Sequence, residues 1–359
     1  DKYMKYTEKK PFGFKKIFFI LLVIFFIILL ISNIKKSPIK LSNNSKTEEP
    51  TSAQETQQDI SINMAVIGDI MCHSPNYKAA YNTQTKTYDF SPFFTQIKSY
   101  IQNADVAVGN LETTFAGGTK AYSGYPTFNS PVQLAKDVKD LGIDVLTTSN
   151  NHSLDTGYNG LINTIDELDK LGISHTGTFK SQEEKDTILI KDVNGVKIAF
   201  LSYTYGTNGI KVPDGKDYLV NLYSDEKAKQ DILKVRDKTD LLIVSMHWGT
   251  EYRSVPTEEQ KRQALYLSNL GVDIIIGTHP HVVEPIDYVN NTLVIYSLGN
   301  FISAQSTNSD YNTMVELMSS VDVIKTVKNG KSSIKLENLN NELLYKMTLH
   351  LQMYLFLFL

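Results

Sequence analysis

Five of the seven histidines in this 359-residue chain stand in short polar stretches that follow apolar runs. They are His73, His152, His247, His279 and His281, and Asp69, Glu112, Asn151 and Asn300 occupy matching positions. The stretch "VDIIIGTHPH" leaves an apolar run through glycine and offers His279 and His281 with only Pro280 between them. Alone, such a tripeptide reads as a surface turn. Taken together, imidazoles, carboxylates and amides with a single cysteine suit a divalent first-row ion such as Zn, Mn or Fe, and not a thiolate site. One ion takes three or four ligands, whereas six or more converging donors would serve two ions about 3.5–4 Å apart, bridged by a carboxylate.

The elements that must carry these donors repeat one arrangement: a short apolar strand, a polar loop, and often a helical pattern. "INMAVIGD" ends at Asp69, "ADVAVGNLE" at Asn110 and Glu112, and "GIDVLTTSNNHSLD" passes Asn151 and His152. "TDLLIVSMHWG" ends at His247 and "NTLVIYSLGNF" at Asn300. Leu161, Ile165, Leu168 and Leu171 have helical spacing, as does "TEEQKRQALYLSNLG". Asn194-Gly195 between two apolar runs predicts a β-hairpin. Buried strands alternating with helices predict an α/β fold with a mixed sheet. Ligand sites in such folds form beyond the carboxyl ends of the strands, so the donors are expected to meet on one rim. Each also has a plainer reading. Asp69 suits a turn, Asn151 suits a cap for the following helix, and His247 beside the only tryptophan suits a packed core.

Charge and hydropathy divide the chain. Residues 1–40 carry nine lysines against Asp1 and Glu8, so a net charge of −3 leaves the remainder strongly acidic. That excludes a nucleic-acid-binding body, which needs a basic patch. The lysines flank "IFFILLVIFFIILLI", and residues 17–34 are expected to form a transmembrane signal anchor, short but sufficient with lysines snorkelling at its ends. A cleaved signal peptide is the competing reading, but no small-residue cleavage pattern follows. The lysine bias predicts a cytoplasmic segment 1–16 and an extracytoplasmic body in a single-pass protein of the cell membrane. Residues 35–59, nearly free of apolar side chains from 40 onward, read as a flexible linker. The folded domain is expected over 60–325. Residues 326–359 read as an uncertain tail, apolar at its end as a disrupted frame would leave it, or else touching the membrane. Cys72, the lone cysteine, excludes an internal disulfide and reads as a small buried side chain.

The blocks "GDIMCH", "NLET", "SNNHSLDTG", "HWGTEY", "GTHPHVVEPI" and "YSLGNF" together resemble the CapA (PgsA) poly-γ-glutamate capsule synthesis branch of the calcineurin-like metallophosphoesterase superfamily, over about residues 60–305. The resemblance implies a mixed β-sandwich flanked by helices and a centre for two divalent ions. It implies that Asp69 and His281 bind the first ion, that Asn151, His247 and His279 bind the second, and that Glu112 bridges them. It further implies that His152 faces substrate as a general acid, with Asp155 orienting it. His73 lies four residues after Asp69, where the superfamily has two, and stands with Glu251 and Asn300 as a further candidate. Tyr252 and Arg253 suit either a carboxylate or phosphate contact or a solvated loop, and His175 and His350 receive no role. Two functions remain open. One is an anchored subunit supporting synthesis or export of an anionic polymer beside other membrane subunits; the other is a free-standing extracytoplasmic phosphatase or phosphodiesterase.

Overall fold

The computed structural model describes residues 57–305, 311–349 and 352–357, all within the unit from Glu55 to Leu359. The expected segments 1–16 and 17–34, and the linker up to residue 56, lie outside the described residues. Among the described residues no helix is long and apolar enough to cross a membrane.

Beside a small hairpin of Tyr81–Asn82 with Thr87–Tyr88, the strands of the two large sheets are β1 (Gln57–Ile70), β2 (Val106–Leu111), β3 (Val145–Thr147), β4 (Ser174–Thr176), β5 (Leu189–Val193), β6 (Val196–Thr204) and β7 (Leu241–His247). There follow β8 (Ile274–Thr278), β9 (Val283–Val289), β10 (Thr292–Leu298), β11 (Asn300–Ile302), β12 (Val315–Lys328), β13 (Lys331–Leu349) and β14 (Gln352–Leu357). One sheet runs β14-β13-β12-β1-β2-β3-β4, with β11 also beside β1, and the other runs β9-β10-β8-β7-β6-β5. Both mix parallel and antiparallel pairs. The four longer helices are α1 (Gln133–Leu141), α2 (Gly157–Leu171), α3 (Asp225–Val235) and α4 (Glu258–Asn269).

The two sheets pack face to face through Ile62, Met64, Val66, Val106 and Val108 on one side and Ile198, Phe200, Ile243, Ile274 and Ile295 on the other. Burying each such side chain contributes about 1.5–3 kcal/mol, and alternation along each strand sends the intervening residues outward. There Leu134, Val138 and Leu141 of α1 cover one sheet, and Ile232 of α3 with Leu267 of α4 cover the other. The result is the helix-flanked, mixed two-sheet arrangement anticipated above.

The predicted hairpin is present: β5 and β6 pair antiparallel around Asn194 and Gly195, both at positive φ. Helix α2 buries Leu161, Ile165 and Leu168, as its spacing requires. Its N-cap is Thr156, so Asn151 is not spent on capping. Strand β1 already includes Gln57, Gln58 and Asp59, ahead of the expected Ile60. Strand β12 runs to Lys328, past residue 325, and pairs along its length with β13, inside the segment read as an uncertain tail.

Candidate metal centre

Two rows of residues, one from each sheet, supply the rim. In the first sheet, pairing sets Asn300 of β11 beside Asp69 of β1, Asp69 beside Asn110 of β2, and Asn110 beside Thr147 of β3. In the second, Thr278 of β8 pairs with His247 of β7. The strands come close because glycine occupies the crossing: a Cβ on Gly68 would lie 2.0 Å from the Gly299 carbonyl oxygen.

Asp69, Glu112, Asn151, His247, His279, His281 and Asn300 are all buried. Asn110 Nδ2 donates to Asp69 Oδ1 at 2.8 Å, and the His279 backbone N–H approaches Asp69 Oδ2 at 3.3 Å. His281 Nδ1 lies 3.3 Å from Asp69 Oδ2 and 3.0 Å from Asn300 Oδ1. An amide oxygen only accepts, so Nδ1 carries the hydrogen and the lone pair of His281 is on Nε2. His247 Nε2 lies 2.9 Å from Asn151 Oδ1 and 3.6 Å from Glu112 Oε1, while its Nδ1 contacts Thr278 Oγ1 at 3.0 Å. Asn151 is in turn oriented by donating from Nδ2 to Asn208 Oδ1 at 3.1 Å. Trp248, the neighbour that suggested a core role for His247, turns away and donates from Nε1 to the Tyr296 carbonyl at 2.9 Å.

Three groups of side chains each bring one ligand atom per residue to within 4.8 Å of one another. They are Asp69–Glu112–His281, Glu112–His247–His279 and Glu251–His279–His281. The first two are wholly buried and share Glu112, whereas the third includes the exposed Glu251. Two atoms in the shared region, Glu112 Oε1 and His279 Nδ1, are buried without a hydrogen-bond partner. Leaving such atoms unsatisfied costs about 1–3 kcal/mol each, and a coordinated cation would satisfy both. Burial first, then the charge of Asp69, pushes the Glu112 carboxyl well above its ordinary range. Burial and neighbouring histidines hold His247 well below its ordinary value and His279 at about 3. Neutral imidazoles, one of them with an unpartnered nitrogen on His279, beside buried carboxyl groups are a donor set that fits divalent ions. Backbone strain concentrates here as well. His279 has φ 99° and His281 φ 59°, conformations costing about 1–3 kcal/mol each that persist where the surroundings enforce them.

Beside the cluster lies a cavity of about 200 Å³, lined in part by His73, His152, Phe128, Tyr252 and His281. His152 Nδ1 meets Asp155 Oδ2 at 2.8 Å, and that same oxygen accepts from the Phe128 backbone N–H at 2.6 Å. Asp155 therefore fixes the imidazole with the hydrogen on Nδ1 and leaves Nε2 with its lone pair. His73 is brought to the cavity wall but into none of the three groups. Its Nδ1 accepts from the Ala304 backbone N–H at 3.2 Å, and its ring packs edge-on against Phe128. Sequence reasoning gave no role to Asn110, Thr278 or Asn208. Asn110, inside the "NLET" block, carried a visible signal; Asn208, on a loop remote from every block, carried none.

The model of the family described as bacterial capsule synthesis protein PGA_cap matches residues 63–305. The chain belongs to that family. It is 30% identical over 264 residues to the PGA biosynthesis protein CapA of Bacillus subtilis (strain 168), covering 70% of this chain and 66% of that one. It is also 30% identical over 258 residues to the capsule biosynthesis protein CapA of Bacillus anthracis, covering 68% and 60%. The chain thus spans somewhat less than two thirds of the length of each. Among solved structures it resembles the calcineurin-like phosphoesterase YfkN of Bacillus subtilis, with 15% identity, a TM-score of 0.44, and coverage of 79% and 91%.

Proposed function

We propose that this chain is a membrane-anchored, extracytoplasmic accessory protein that supports synthesis or export of poly-γ-glutamate or a related anionic polymer through a centre for two divalent ions. The observation that carries the reading is the pair of buried donor groups sharing Glu112, with Glu112 Oε1 and His279 Nδ1 unsatisfied between them. In this reading Asp69 and His281 hold the first ion, and Asn151, His247 and His279 hold the second. Bound there, the ions supply concentrated positive charge able to hold carboxylate or phosphate oxygens. The chain's own residues do the rest. Asn300 and Thr278 fix the two imidazoles, and Tyr252 and Phe128 narrow the adjoining cavity. Membership of the family and the likeness to the two CapA proteins support the polymer assignment. Anchoring rests on residues 17–34 and their flanking lysines.

A second reading, a metal-dependent phosphatase or phosphodiesterase, draws on one specific observation. His152 is held through Nδ1 by Asp155 at the cavity wall, an arrangement in which its imidazolium, once formed, is paired with a carboxylate and gives the proton on the other ring nitrogen to a leaving oxygen. Two experiments separate and test these readings. Cells lacking the chromosomal copy are supplied with the wild type or with His247→Ala/His281→Ala, and polymer output is measured. Purified protein is assayed with Mn or Zn on a phosphodiester probe. The accessory reading expects polymer lost in the double variant and no hydrolysis; unchanged polymer output refutes it. Protease added to intact cells should release a fragment beginning within 40–59, and full protection of the body refutes the orientation.

A further inference from the structure

Lys346 is fully buried, the one buried lysine or arginine among the described residues. A buried ammonium is retained only where oxygen acceptors and negative charge surround it. Its Nζ donates to the Asn300 carbonyl oxygen at 2.7 Å and to Ser303 Oγ at 3.2 Å. Asn300 faces His281 Nδ1 through Oδ1 and pairs with Asp69 across β11 and β1. Lys346 therefore grips, by its backbone, the residue that orients two members of the Asp69–Glu112–His281 group.

The neighbouring strand supplies a second grip. Glu316 of β12, also fully buried, accepts the Gly68 backbone N–H on Oε1 at 2.6 Å. Gly68 immediately precedes Asp69, and Glu316 also bridges to Gly299, immediately before Asn300. Burial pushes the Glu316 carboxyl well above its ordinary range and the Lys346 ammonium down to about 7, and the charge of each partly offsets the other's shift. Both residues lie beyond 63–305, the part that matches the family.

We propose that Lys346, backed by Glu316, is a positioning residue that locks the Asp69–Asn300–His281 side of the centre, so that strand β13 completes the first ion's site without contributing a ligand. This inference rests on the two-ion reading above. Lys346 touches backbone and a hydroxyl, so its loss acts on where Asn300 and His281 sit. His247 ends β7 and His279 follows β8, both of the other sheet, whereas Lys346 bonds to Asn300 and Ser303.

The test uses the full chain in detergent and Mn alone as probe, with stepwise binding followed by calorimetry and electron paramagnetic resonance. His281→Ala and His247→Ala mark the first and second ion. Lys346→Met should weaken the first ion about 10–100-fold, the usual cost of removing an outer partner, and leave the second nearly unchanged. The spin-coupled signal of a Mn pair should vanish at stoichiometric Mn while a single-ion signal remains. Ser303→Ala, a milder change, should shift the first ion in the same direction. An unchanged affinity for the first ion in a folded Lys346→Met protein overturns the proposal. So does parallel weakening of both ions together with a lower melting temperature, which marks a structural role only. If Lys346→Met does not fold, an unchanged first ion in Ser303→Ala overturns it. A wild type that takes up no Mn at all overturns the two-ion reading itself, a result distinct from the others.

Discussion

Glu112→Gln should move the stability of the ion-free and ion-loaded protein in opposite directions. Glu112 is fully buried, and its Oε1 has no hydrogen-bond partner. Burial, then the Asp69 charge, raises its carboxyl well above the ordinary 4.5. A folded carboxyl raised in this way binds more protons than the unfolded chain does, so it loses stability as pH climbs past the unfolded value. At an assay pH of about 7.5 that window spans at most about 3 pH units, a ceiling of about 4 kcal/mol that a neutral amide removes. The new amide N–H needs a partner and returns about 1–3 kcal/mol. A net gain of at most about 1–3 kcal/mol remains, or at most about 2–8 °C in Tm. With metal the sign reverses. Ion binding at 100 times Kd stabilises the wild type by about 2.7 kcal/mol, and a 100-fold weaker site leaves only about 0.4 kcal/mol. Because Glu112 belongs to both buried groups, neither ion escapes the loss. Calorimetric melts with EDTA and with excess Mn or Zn decide the matter. A variant less stable than wild type in EDTA, yet gaining as much from metal, would refute the shared role of Glu112.

His247→Ala and His281→Ala should each lose one ion by elemental analysis while far-ultraviolet circular dichroism is unchanged; full occupancy in the double variant would remove both from the ligand set. His152→Ala should keep both ions and, if hydrolysis is detected in the wild type, lose about 10²–10⁴-fold in rate; an unchanged rate removes its general-acid role. The ion-free protein should weaken on acidification below about pH 4.5. His73 and His279 are held at about 3 and His247 well below its ordinary value, chiefly by burial. Between those values and 6.5 the unfolded chain binds the extra protons, so stability rises with pH by up to about 1.4 kcal/mol per unit for each histidine. Glu112, Glu284 and Glu316, each raised chiefly by burial, oppose this above 4.5 and offset the three imidazoles there, so the histidine slope emerges below about pH 4.5. Equal denaturant midpoints at about pH 4.5 and 3.5 would contradict that balance.

The rim was legible because strands buried on both faces read as apolar runs, and whatever ends such a run must leave the core at the sheet's edge. Asp69, Glu112, His247 and His279 were found in that way, and the Asn194-Gly195 turn by its chemistry. The far side of the centre was not legible. Strand β13 mixes serine, asparagine and lysine with scattered apolar residues, because much of it is only partly buried, so no clean alternation announces it. Nothing in the sequence singles out Lys346; what makes it structural is the Asn300 carbonyl, a backbone atom that no residue code reveals. The strain at His279 and His281 was hidden for the same reason, since φ is imposed by neighbours from other strands. Asn208 reaches Asn151 from a loop whose course follows from tertiary packing alone.

The central position of β1 has a kinetic consequence. Residues 57–66 have their antiparallel partners at 319–328, while β2, the parallel neighbour on the other side, follows at once in the chain. An emerging polypeptide can therefore close β1 against β2 early, but it must hold the opposite edge of β1 open until nearly all of the chain has appeared. Contacts of such wide sequence separation form slowly, and an unpaired central strand invites wrong partners meanwhile. Asp69 lies on that strand and Asn300 on its late neighbour, so this side of the candidate centre should be among the last features to mature. Pulsed hydrogen exchange during refolding should protect the amides of β2 and β3 before those of β12; simultaneous protection would show that the edge closes without delay.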